Sequence, residues 1–127
     1  SESFWRFGRM PDAIEVELYG KDVSEFQLVR LVRASHRKYS VPITAFISDA
    51  FIAEDTCAGV SFDHAEKHEG YRKADGAILR TGKIHTVRKE GRFWLLEAQD
   101  GNYVICSFMR AVGRGSFLKF LCTGERI

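Results

Sequence analysis

The residues best suited to chemistry are His64 and His68 in "DHAEKHEG", four positions apart. On a helical turn that spacing sets both imidazoles on one face and suits a divalent metal, with Asp63 or Cys57 as a further ligand. Two histidines do not fill a zinc shell, and the run of charges from Asp63 to Arg72, with Gly70 inside it, fits a solvated loop. No metal and no cofactor is therefore expected. Cys57 with His64 offers a thiol and an imidazole, but closeness in sequence does not align them, and a buried cysteine is the plainer reading. Glu54 with Asp55, and Glu66 with Glu69, lie in polar turn-like surroundings that give acid and base work no specific support. The glycines of "AVGRGSF" stand two apart in a hairpin-like context, with no helix expected to present its N-terminus to a phosphate. His36 belongs to a helix end, and enzyme activity is not expected.

Charge is more informative. Residues 1–70 hold 8 Lys and Arg against 12 Asp and Glu, whereas residues 71–127 hold 11 against 5, so the net +2 belongs to the C-terminal part. There Lys83, Arg88, Lys89, Arg92, Arg114 and Lys119 accompany Trp94 and Tyr103. Cations interleaved with flat rings are how sheets hold single strands: guanidinium and ammonium groups meet phosphates while rings stack on bases. These eight residues form the expected nucleic-acid surface.

The elements that must position them follow from periodicity. "AIEVELYG" alternates Ile14, Val16 and Leu18 against Glu15, Glu17 and Tyr19, a strand with one buried face. Asp22 or Ser24 caps a helix through "SEFQLVRLVRASHRKY", whose C-terminal end gathers Arg33, Arg37 and Lys38 where the helix dipole favours cations. In "SVPITAFISDAFIAED" the positions of Ile43, Phe46, Ile47, Ala50 and Phe51 follow a helical stripe, and Ser40 with Pro42 suits a helix start, so a second helix is expected. "CAGVSF" reads as a short strand. Further strands are expected near Ala77–Lys89, Arg92–Ala98, Tyr103–Val112 and Ser116–Thr123, with turns at Glu90-Gly91, Asp100-Gly101 and Gly113-Arg114-Gly115.

With an Asp100-Gly101 turn, Phe93 lies beside Phe108 and Leu95 beside Cys106 on one face, with Trp94 beside Ser107 and Leu96 beside Ile105 on the other. Neither face is polar, so the second needs a cover: the chain's own helices, barrel closure, a partner or a ligand. The N-terminal arm, with Phe4, Trp5 and Phe7, is expected to dock on the domain or on a partner.

Two resemblances accompany this reading. The order strand, helix, helix over residues 14–53 resembles the ribbon-helix-helix pattern of bacterial DNA-binding regulators, although its outward side chains would be Glu15 and Glu17, which phosphates repel. "GKIHTVRKEGRFWLLEAQDGNYVICSF" is similar to the cold-shock type of small barrel, departing from it where His85, Thr86 and Val87 occupy the stacking positions.

The bulk numbers bound these expectations. With 127 residues, 45% hydrophobic and 28% charged, the chain is expected to be a single globular domain, residues 1–127, helical to about residue 56 and sheet from about 57. Three cysteines without paired spacing suit a reducing, cytoplasmic setting, and no apolar run is long enough to span a membrane. The expected fold is α+β: a strand and two helices packed on a C-terminal antiparallel meander, or alternatively a five-stranded barrel with a helical appendage. The expected function is a non-enzymatic binding module for nucleic acid, single-stranded by preference. The alternative is a protein-interaction or assembly domain, a homodimer included, that buries the apolar second face.

Overall fold

The computed structural model describes residues 24–66 and 73–124. In chain order the elements are α1 (Glu25–His36), β1 (Ala45–Ala53), β2 (Thr56–Phe62), β3 (Ala77–Arg80), β4 (Ile84–Glu90), β5 (Phe93–Ala98), β6 (Gly101–Ile105) and α2 (Gly113–Gly124). The fold is α+β. Its six strands form one mixed sheet in the order β3-β2-β1-β6-β5-β4, with two edges, so the sheet is open rather than a closed five-stranded barrel. The aromatic arm and the strand expected at Ile14–Leu18 lie outside the described residues.

Helix α1 starts where its capping chemistry directs. The Ser24 hydroxyl accepts from the Gln27 backbone N–H at 3.1 Å, and the Gln27 side chain accepts from the Ser24 N–H at 3.1 Å, a reciprocal box that satisfies two donors at the helix start. Leu31 and Ala34 are fully buried and turn the apolar stripe of α1 onto the sheet.

The next segment departs from expectation: residues 45–53 form a strand, not a second helix. β1 lies between β2 and β6 and is buried on both faces, so apolar residues occupy both parities, with Phe46 toward α1 and Ala45 and Ile47 toward the opposite core. A strand covered on both sides loses its period of two, and its leftover pattern can mimic a helical stripe.

Two antiparallel meanders, β1–β3 and β4–β6, join through the parallel pair β1·β6. The single strand expected at Ala77–Lys89 is two strands on opposite edges, linked only by Thr81, Gly82 and Lys83. Such a link reaches at most about 14 Å, whereas six flat strands would set the edges about 24 Å apart. The sheet must therefore coil until its edges converge. Backbone bonds of 2.8 Å hold the link on both sides, from Thr81 N to Cys57 O, Ile84 N to Asp55 O and Gln99 N to Lys83 O. Coiling also places Cys57 of β2 and Ile84 of β4 in one core cluster.

The β5–β6 hairpin keeps its expected faces but shifts its partners by two residues. Trp94 pairs with Ile105, Leu95 with Val104 and Leu96 with Tyr103, around a turn at Gln99-Asp100. Gly101 is then the first residue of β6, where a Cβ would stand 2.4 Å from the Thr44 hydroxyl. A two-residue slip preserves alternation, so the side chains within β5 and β6 stay on their expected faces. β6 ends at Ile105, however, short of the strand expected to reach Val112, and Phe108 beyond it packs against Phe117 under α2 rather than beside Phe93.

Both faces are covered by this chain's own helices. One face packs Phe93, Leu95, Val104 and Cys106 under Leu31 and Ala34 of α1. The other packs Leu96, Tyr103 and Ile105 under Phe117, Phe120 and Leu121 of α2. The second cover comes from the segment expected to be a strand at Ser116–Thr123, which corrects that expectation. Phe117, Phe120 and Leu121 stand at i, i+3 and i+4, a helical stripe that the glycines on either side obscured.

Candidate functional site

The eight residues expected to bind nucleic acid do not share one surface. Arg88 pairs across the sheet with Leu95, toward α1, while Lys89 pairs with Trp94, toward α2. Arg88 is engaged by acids: Nε donates to Glu90 at 2.9 Å and a terminal nitrogen approaches Glu97 at 3.1 Å. The Ser40 hydroxyl and Arg88 together hold the Glu90 carboxyl down at about 2. Lys83 stands 4.0 Å from Asp55. The Lys89 ammonium sits over the Trp94 ring at 5.5 Å, and that ring meets Phe117 edge-on at 5.0 Å under α2. Tyr103 is 2% exposed, and burial pushes its phenol above the ordinary value. A ring so enclosed offers no face to a base in this fold. Arg92 and Lys119 are exposed, on the β4–β5 turn and on α2.

The other expected chemistry is dispersed as well. His64 is buried, with Nδ1 accepting from the Glu66 N–H at 3.0 Å, and His68 lies outside the described residues. No group of three potential metal ligands occurs among the described residues. Burial pushes the Cys57 thiol up to about 12, opposite to the shift an activated nucleophile needs.

Arg114 alone of the eight leads to a concave site. A cavity of about 680 Å³ opens between the first turns of α1 and the start of α2, over the ends of the central strands. Its floor is a bulge in β1, where pairing with β2 shifts between Ser48 and Phe51 and Asp49 takes a left-handed backbone, φ 55°. Aspartate tolerates that region better than most side chains. The Asp49 N–H donates to the Ser107 hydroxyl at 3.1 Å, and the Gln27 amide donates to the Asp49 carboxylate, tying α1, β1 and the end of β6 together.

Beyond β6 the chain continues beside the bulge, with Ala50 N donating to Ser107 O and Met109 N to Ala50 O, both at 2.9 Å. It then turns through Ala111, at φ 76°, into α2. Two non-glycine residues in left-handed backbone thus line one cavity, a form of stored strain that concentrates at functional sites. Gly113 permits the turn, since a Cβ there would lie 2.4 Å from the Ala50 carbonyl oxygen. The helix that "AVGRGSF" was expected to lack begins inside that motif, which corrects the hairpin reading of these glycines.

Three guanidinium groups line the cavity: Arg30, Arg110 and Arg114. Arg30 donates from Nε to the Cys106 carbonyl at 2.5 Å and lies over Phe93 at 4.9 Å and Phe26 at 5.8 Å. Arg114 lies over Phe108 at 4.8 Å. Among the described residues Asp49 is the one acid in the lining, and none of the three arginines has a carboxylate within ion-pair distance. The first turn of α2 carries no acid either, so its dipole adds to the positive field. Residue order held one usable signal, the nearness of Arg110 and Arg114, which stand on either side of the left-handed turn at Ala111 that leads into α2. Arg30 could be joined to them only by the fold. Comparison with protein-family models, with curated proteins and with solved structures finds no match.

Proposed function

We propose that the protein is a non-enzymatic binding module that takes single-stranded nucleic acid in the groove between α1 and the start of α2. The observation that carries this reading is the convergence of Arg30, Arg110 and Arg114, which have no acid within ion-pair distance among the described residues, on a concavity edged by Phe26 and Phe108. Guanidinium groups suit phosphate oxygens through their forked donors, and the exposed Phe26 ring offers a surface on which an unpaired base can stack, whereas Phe108 is held between Arg114 and Phe117. In this reading the interface lies away from the β4–β5 surface anticipated from composition, where Arg88 is neutralised and Trp94 is tucked beneath α2.

Binding of a fluorescent single-stranded oligonucleotide, followed by anisotropy across a salt series, tests it. Affinity should fall as salt rises, with a log–log slope of about −0.7 for each phosphate held. Arg110→Ala and Arg114→Ala should each weaken binding and flatten the slope by about that amount. Arg88→Ala and Lys89→Ala should change little. Absence of binding at low salt, or losses confined to the β4 variants, would overturn the proposal.

A second reading has its own support. Phe26 is 67% exposed and Met109 37% exposed on the rim of the same groove, which suits a protein partner with an acidic, apolar segment. With both sheet faces already covered, such a partner would meet this rim rather than the sheet.

A further inference from the structure

We infer that Asp49 gives the groove a preference for guanine, an inference that rests on the nucleic-acid reading of the same site. A carboxylate is a poor neighbour for phosphate, and among the described residues Asp49 stands as the single acid in a lining with three arginines. It is not spent on neutralising them: no ion pair joins it to any described cation, and its side-chain bond comes from the neutral amide of Gln27. It is also held in place. The bulge fixes its backbone at φ 55°, its own N–H is tied to Ser107, and Gln27 donates to one carboxylate oxygen, which can accept a second bond. A positioned acceptor-only group in a nucleic-acid groove calls for a ligand edge made of donors.

Guanine alone among the bases supplies that edge. Its N1–H and N2 amino group are adjacent donors that a carboxylate accepts in parallel. Adenine and cytosine each set one amino group beside a ring acceptor, and uracil or thymine flanks one imino N–H with two carbonyl oxygens. Each of these three places a lone pair against the carboxylate, which it repels. In this arrangement the arginines supply affinity for the backbone and Asp49 supplies the choice of base, a division common to nucleic-acid sites. Gln27 acts as a positioning residue.

The test is anisotropy at low salt with single-stranded oligonucleotides identical except for one guanine, its replacement by inosine, which lacks the N2 amino group, or its replacement by adenine. The native protein should bind the guanine strand about tenfold more tightly than the others, within the range of one bidentate base contact. Asp49→Asn keeps a side chain that tolerates the left-handed backbone and still accepts from Gln27. It should bring the guanine-to-adenine ratio close to one while affinity for the adenine strand holds or rises, as a negative charge leaves the groove. Native protein that binds every strand equally, or Asp49→Asn protein that keeps the full preference, overturns this inference and leaves the nucleic-acid reading standing. Native protein that binds no strand overturns both. The inosine comparison uses native protein only, so it decides the matter even where the variant folds poorly.

Discussion

Arg30, on α1, donates from Nε to the carbonyl oxygen of Cys106, just past the end of β6, at 2.5 Å. The bond joins the helix to the strand end that floors the groove, so one side chain serves both the fold and the cationic field. A charged donor on a partly buried carbonyl contributes about 1.5–3 kcal/mol. Arg30→Ala should lower the unfolding free energy by that amount, read in a urea titration as a lower midpoint at constant slope, and Arg30→Lys should recover only part of it. An unchanged midpoint would show that water replaces the bond without loss.

Two glycines at the start of α2 should respond with opposite sign. A Cβ on Gly113 would meet the Ala50 carbonyl oxygen at 2.4 Å and the Phe108 Cβ at 3.0 Å, whereas a Cβ on Gly115 meets nothing within 4 Å. Gly115→Ala should stabilise the protein by about 0.5–1 kcal/mol, because alanine is the better helix former. Gly113→Ala should destabilise it by about 1–3 kcal/mol and disturb the groove, since α2 must withdraw from β1. Thermal melts of the two variants measure both signs.

Acid should act through the cluster at the β4 edge. Glu90 sits well below the ordinary carboxyl value of 4.5, at about 2, held first by the Ser40 hydroxyl and then by Arg88. A carboxyl depressed on folding contributes stability that is present above its unfolded value and is lost as pH falls through its folded one. Native protein should therefore lose stability between about pH 5 and pH 2 by more than Glu90→Gln does. Denaturation midpoints across that window give the comparison, and parallel curves for the two proteins would refute it.

Thiol chemistry reports on the two cores separately from the surface. Cys57 and Cys106 are buried and their thiols are raised by desolvation, Cys57 to about 12, whereas Cys122 is exposed on α2. A thiol-reactive chromophore at neutral pH should label Cys122 quickly and the other two only in denaturant. Rapid labelling of all three would show that the cores open readily.

Parts of this architecture were legible from residue order alone, and the parts that were not share one cause. The start of α1 was legible because Ser24 and Gln27 satisfy each other's backbone within one turn. The faces of the β5–β6 hairpin were legible because alternation survives the two-residue shift in pairing. That both those faces are apolar was also readable, and it required a cover of some kind. Which element supplies the cover was not, because glycines at 113 and 115 read as a turn until Ala50 is brought close enough to require the first of them. β1 was hidden for a related reason: burial on both sides removes the alternation by which a strand is recognised. The groove belongs wholly to tertiary structure, since Arg30 and Arg114 are 84 positions apart and meet only through the parallel pairing of β1 with β6. Local bonds and periodicity act over a few residues and are written in their order. Coiling of the sheet, parallel pairing and the meeting of unpaired cations depend on contacts between distant segments, and only the folded chain decides those.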